Sequence, residues 1–247
     1  MKAQCHQKPK FDGRHFLDLK LAQEIVAKRQ IEAPCAQSTA DLTAFSRIDP
    51  EAIRYLAQFH YTWVDFAITY MGKTLAQEIA AWPAQAMSFK EGMETTSEAL
   101  VCFRLCPATL HFGNLGDALD RDAAKALSTC GGALELAVDD LEPEIAAVLA
   151  NHHDPLTISV RQSFVMASLQ ALTQHMGNEC TLYLNQPVTP ELMAALHASP
   201  QKRVIDLSRI ANHGPYQTAL LLCDESHYVE ILSYRDFPLA MSISPVR

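Results

Sequence analysis

Residues 133–154 read ALELAVDDLEPEIAAVLANHHD, residues 155–180 PLTISVRQSFVMASLQALTQHMGNEC and residues 181–196 TLYLNQPVTPELMAAL. Each line opens on a short apolar alternation, Leu134 with Leu136, Leu156 with Ile158, and Leu182 with Leu184. Each then crosses a polar turn into an Ala/Leu-rich run. A period of two marks a half-buried strand, and apolar residues three and four apart mark one face of a helix. The stretch therefore states the same unit, strand then helix, more than once.

The unit extends in both directions. Marking the first apolar strand position of each copy gives Leu42, Val64, Met87, Leu110, Leu134, Leu156, Leu182, Ile205 and Val229, at spacings of 22, 23, 23, 24, 22, 26, 23 and 24 residues. Self-similarity at this period is the signature of stacked supersecondary units. Helices are expected over residues 50–58, 74–81, 97–105, 122–128, 143–150, 166–175, 190–198 and 215–222. Three of them share a start signal, Asp49-Pro50-Glu51, Glu142-Pro143-Glu144 and Thr189-Pro190-Glu191. Proline suits the first helical turn, where its missing N–H has no partner to lose, and the acid that follows suits the positive end of the helix dipole. The segment FLDLKLAQEIVA (16–27) reads as a degenerate first unit, as a terminal cap requires. The expected division is a lead-in and capping unit over 1–40, strand-helix repeats over 41–235 and a cap or tail over 236–247, in one domain.

Between the apolar anchors stand Thr43, Asp65, Ser88, His111, Glu135, Thr157, Tyr183, Asp206 and Glu230. Side chains alternate across a strand, so this row occupies the face opposite the anchors. A doubly wound sheet has helices on both faces and strands that are apolar throughout; a polar row implies one covered face and one wet one. The expected fold is accordingly an α/β strand-helix repeat solenoid with a single parallel sheet, its helices on one side and a polar face on the other.

The LxL strand, turn and helix of LYLNQPVTPELMAAL and LHFGNLGDALDRDAAKAL resemble the bacterial leucine-rich repeat proteins, over roughly residues 40–235. Asn114 and Asn185 stand near the place where such repeats carry an asparagine that bonds the backbone of the turn. The resemblance implies a horseshoe whose parallel sheet lines the concave face, with helices on the convex side, and macromolecular binding as its activity.

Composition bounds the rest. The chain has 247 residues and a net charge of −8, against the basic stripe of a nucleic-acid binder. The charge is uneven: residues 1–30 hold seven Lys/Arg against three acids, so they carry +4 and the remainder −12. No secretory signal and no membrane-length apolar run are visible, and the seven cysteines, odd in number and without a CxxC pair, read as free thiols in a reducing compartment. A cytoplasmic protein is expected, with export as an effector the alternative.

Reactive-looking groups are few. Cys102 and Cys106 lie four apart and have the spacing to share a metal, but read first as core thiols. His152, His153 and Asp154 fall in one loop, where neighbouring histidines point apart. Cys223, Asp224, Glu225 and His227 form the densest cluster, and a cysteine-dependent enzyme using Cys223 and His227 is the alternative function; a nucleophile of that kind also needs an oxyanion site, which no sequence feature supplies. No catalytic, metal or cofactor site is assigned. The expected function is a non-enzymatic scaffold that binds a partner protein of complementary positive charge through Asp65, His111, Glu135, Tyr183, Asp206 and Glu230, with Tyr183 as the aromatic anchor.

Overall fold

The alternation seen in the sequence becomes a nine-stranded sheet: β1 (Thr39–Leu42), β2 (Trp63–Phe66), β3 (Ala86–Phe89), β4 (Thr109–Asn114), β5 (Leu134–Leu141), β6 (Leu156–Phe164), β7 (Glu179–Leu184), β8 (Arg203–Asp206) and β9 (Thr218–Cys223). The computed structural model describes residues 15–31, 39–59, 61–187, 189–197, 202–207 and 215–224. Strands β1 to β7 lie side by side in chain order and pair in parallel. The helices α1 (Leu19–Ile31), α2 (Pro50–Leu56), α3 (Lys73–Ala80), α4 (Ser97–Leu100), α5 (Arg121–Leu127), α6 (Pro143–Leu149), α7 (Met166–Leu172) and α8 (Pro190–His197) alternate with them and pack neighbour on neighbour. The three proline starts are where the sequence puts them, at α2, α6 and α8. Asp49, Thr96 and Asp120 cap their helices through side-chain oxygens that accept from Glu51, Ala99 and Ala123 N–H groups, and so satisfy amides that have no partner inside the helix.

One apolar core lies between the sheet and the helices. Its densest row is Phe66, Phe89 and Phe112, in register on β2, β3 and β4, with ring centroids 5.1 and 4.7 Å apart and planes within 10° and 6°. Those separations match the distance between adjacent strands. Leu136, Ile158 and Leu182 continue the row, all at 0% exposure. Phe16 and Leu17 do not join the sheet; they pair in parallel with Arg47 and Ile48, and Leu17, Leu21, Ala22 and Val26 extend the core under α1.

Every helix-to-strand turn from α2 to α7 closes on one residue whose N–H bonds a carbonyl three positions back: Phe59, Trp82, Cys106, Cys130, His152 and His175. All but the partly buried Phe59 are inside the protein. These seats are the same place in successive units, filled first by aromatics, then by thiols, then by imidazoles.

The single parallel sheet expected from the sequence is corrected. The sheet is mixed, because β9 pairs antiparallel with β7 and with β8, and stands between them. The spacing of Ile205 from Leu182 suggested another parallel unit, but its strand sits at the sheet edge, one place removed from β7. Residues 215–222, expected as a helix, instead run into β9 from Thr218 onward. All six of its residues are buried, and such a continuous apolar run has no period to separate strand from helix. The fold is a mixed α/β sheet and not a single-sheet parallel solenoid.

Register also moves two of the anchors. Val64 pairs with Ala40, and Leu156 with Cys180, so Leu42 and Leu182 each lie two residues beyond the position assigned to them. The spacing of 26 in the sequence count is this slip. The expected segments from residue 225 onward, including the anchor Val229 and the tail 236–247, lie outside the described residues.

Candidate interaction face

Because the shift is by two residues, it preserves which face a side chain occupies. The row facing away from the helices is Asp41, Asp65, Ser88, His111, Glu135, Thr157 and Thr181, one residue from each of β1 to β7. None of the seven is buried, whereas the residues on either side of them in the strands are core. The row holds three carboxylates and an imidazole, and no lysine or arginine.

Three of the expected site residues meet here. His111 Nδ1 and Glu135 Oε2 are 2.6 Å apart across β4 and β5. That hydrogen bond holds the Glu135 carboxyl below its usual range, so the carboxylate accepts and the proton sits on His111 Nδ1. On the other side the imidazole lies against Trp63, with ring centroids 5.1 Å apart at 37°. The indole Nε1–H donates to Asp65 Oδ1 at 2.7 Å. Asp65, Trp63, His111 and Glu135 therefore form one connected patch that spans four strands, β2 to β5. His111 Nε2, shielded from water, has no hydrogen-bond partner.

Trp63 is the residue that the sequence reading missed, although it was legible. It stands two places before Asp65 in one strand, hence on the same face, and β3 opposes it with Ala86, a side chain small enough to leave room for the ring. Also missed was an ion pair farther along the strands, Arg161 to Glu91 at 2.6 Å. Arg161 continues the outward alternation of Thr157 and Ser159 on β6. Its guanidinium meets Glu91, which follows β3 and whose backbone lies against Gly113 of β4. Gly113 is required there, since a Cβ would lie 2.7 Å from the Glu91 backbone nitrogen. Asn185 donates to the Arg161 carbonyl at 3.1 Å, and Asn114 accepts from Gly116 N–H at 3.1 Å, so both asparagines bond backbone at the strand ends.

The other expected residues lie elsewhere. Tyr183 faces outward but in the next row, level with Ser159, and its ring is 5.9 Å from that of Tyr216. Asp206 pairs with Leu220, which is itself level with Leu182, so its side chain is on the helix side of the sheet and not in the polar row. Beyond β7 the outward face is apolar and buried, with Ile205, Leu221 and Cys223 packed together beside Leu207. Glu230 lies outside the described residues.

Chemistry at these groups is constrained. Ser88, His111 and Glu135 are level on adjacent strands and are the residue types of an acyl-transfer triad, but Ser88 makes no hydrogen bond to Nε2. The backbone amides of these strands serve the sheet at this level, so among the described residues they supply no donor pair for an oxyanion. Cys223 is fully buried in β9, Asp224 is paired with Lys202, and His227 and Glu225 lie outside the described residues. Cys106 is buried in its turn seat and Cys102 is partly exposed, both as free thiols. His152 points inward and His153 outward, as neighbours in a loop do. Among the described residues no group of three or more His, Cys, Asp or Glu is placed to hold a metal ion, and no helix is long and apolar enough to cross a membrane. No protein-family model, curated protein or solved structure matches the chain.

Proposed function

We propose that the chain is a non-enzymatic interaction scaffold that binds a partner protein through the outward face of its sheet. The observation that carries this reading is the seven-strand polar row, unburied and free of helices among the described residues, with a half-buried tryptophan beside it. A rigid sheet displaying charged groups at fixed strand intervals suits recognition of an extended surface, and aromatic residues contribute disproportionately to such contacts. The acidic row and the net charge of −8 select a partner with a positive surface over nucleic acid. Cytoplasmic residence belongs to the same proposal and rests on the free thiols.

The test is capture from a cell lysate at low and moderate salt with the native chain and with an Asp65→Lys, Glu135→Lys double variant. Both positions are outward-facing, so the variant is expected to keep its fold by circular dichroism. A protein retained by the native chain and lost from the variant supports the scaffold reading. Equal retention by both removes this face as the binding surface.

A further inference from the structure

We infer that the patch around Trp63 is a receptor for a single arginine side chain presented by an extended segment of the partner. The inference rests on the scaffold reading above and names the group that the face recognises. Its starting point is an imbalance of charge. Along the outward row, Asp65 and Glu135 carry acidic side chains, and among the seven residues of the row there is no lysine or arginine. The nearby guanidinium of Arg161 is already held by Glu91. Glu135 keeps its negative charge because its hydrogen-bond partner favours the ionised form.

The second observation is where the aromatic surface lies. The indole of Trp63 stands among these carboxylates and is fixed from two directions, through Nε1 to Asp65 and by the imidazole of His111 against it. The indole is half-buried and held in one orientation, so a ligand that meets its exposed part imposes no further ordering cost on the side chain, and preorganisation of this kind is favourable to binding. Cations are attracted to the face of an indole more strongly than to that of any other side chain, and arginine is the more frequent partner. A planar guanidinium can stack on the ring while its N–H groups point sideways to carboxylates, and Asp65 and Glu135 stand on opposite sides of the indole and imidazole pair. An ammonium has a point charge and lacks the flat face.

The experiment is isothermal calorimetry of the full chain, at physiological salt, with hexa-arginine, hexa-lysine and hexa-citrulline peptides. Citrulline has the shape of arginine without its charge. Expected are binding of hexa-arginine, weaker binding of hexa-lysine and none of hexa-citrulline. Trp63→Leu should weaken hexa-arginine binding about tenfold, and Trp63→Phe, which retains an aromatic face, should recover part of the loss. The chain has two tryptophans, and Trp82 is only 1% exposed, so quenching by caesium ions reports Trp63 and should fall when hexa-arginine is bound. Absence of hexa-arginine binding overturns the inference. So does unchanged affinity in Trp63→Leu; if Asp65→Lys, Glu135→Lys still abolishes binding in that case, the acidic face remains a binding surface and only the arginine receptor is lost.

Discussion

Lowering the pH should weaken this fold by way of His175, and the size of the effect can be worked out. His175 is 3% exposed and neither of its ring nitrogens has a hydrogen-bond partner. Burial, the nearby Lys202 ammonium and His152 push its pKa down to about 4. Lys202 is itself enclosed and fixed, donating to the Gly177 carbonyl and to Asp224 at 2.5 Å each. Above the ordinary histidine pKa of about 6.5 the ring is neutral whether the chain is folded or not. As the pH falls through that value the unfolded chain takes up a proton that the folded chain refuses, and stability declines by up to about 1.4 kcal/mol per pH unit. The decline from this group ends near the folded pKa of about 4, after a total loss of roughly 3 kcal/mol. His152, whose pKa is lowered by its own burial, adds to it in the same direction. The assay is urea unfolding of the native chain and of His175→Leu at pH 7.5, 6.5, 5.5 and 4.5. Carboxylates titrate alike in both proteins, so the difference between the two profiles isolates the imidazole. The native chain should lose stability more steeply than the variant between pH 6.5 and 4.5. Parallel profiles, or a His175 ring resonance that titrates near pH 6.5 in the folded protein, would refute the reasoning.

Other perturbations follow from the packing. Phe89→Ala empties the middle of the Phe66, Phe89 and Phe112 stack and should cost roughly 3–5 kcal/mol in chemical denaturation. Gly132→Ala should destabilise by about 1–3 kcal/mol, because its Cβ would lie 2.5 Å from the Ala108 carbonyl carbon, where only backbone could yield. Among the described cysteines, Cys102 should be alkylated first at pH 8 when peptides are compared by mass spectrometry. Cys130 and Cys180 should lag furthest, since burial raises both thiols to about 12.

Much of this architecture is legible in the chain because its rules are local. The alternation of Leu134, Glu135 and Leu136 settles which side of a strand faces the helices, and Pro50, Pro143 and Pro190 mark helix starts without reference to anything distant. Asp65, His111 and Glu135 could be placed on one face for the same reason, and a slip of two residues does not move a side chain across the sheet. Strand order is a different kind of information. Nothing in RVID or TALLLC records that the second inserts between the first and β7, because that choice depends on pairing energies between segments far apart in sequence. The contact of Trp63 with His111 is likewise a property of rings that reach across a strand, and the pairing of Arg161 with Glu91 joins residues 70 apart in sequence.

The position of β9 orders assembly in time. From β1 to β7 each strand pairs with the one made just before it, so every new unit emerging during synthesis finds its neighbour already in place, and the loops to be closed stay short. At β8 this succession stops. That strand is made before β9 but touches the sheet only through it, so it has no docking edge until residues 218–223 have emerged. A nascent chain halted after β8 would hold a growing parallel sheet ending on an unfilled β7 edge, open to pairing with a strand from another chain. The last described strand thus acts as a latch: it closes the β7 edge and brings β8 into the sheet in a single step.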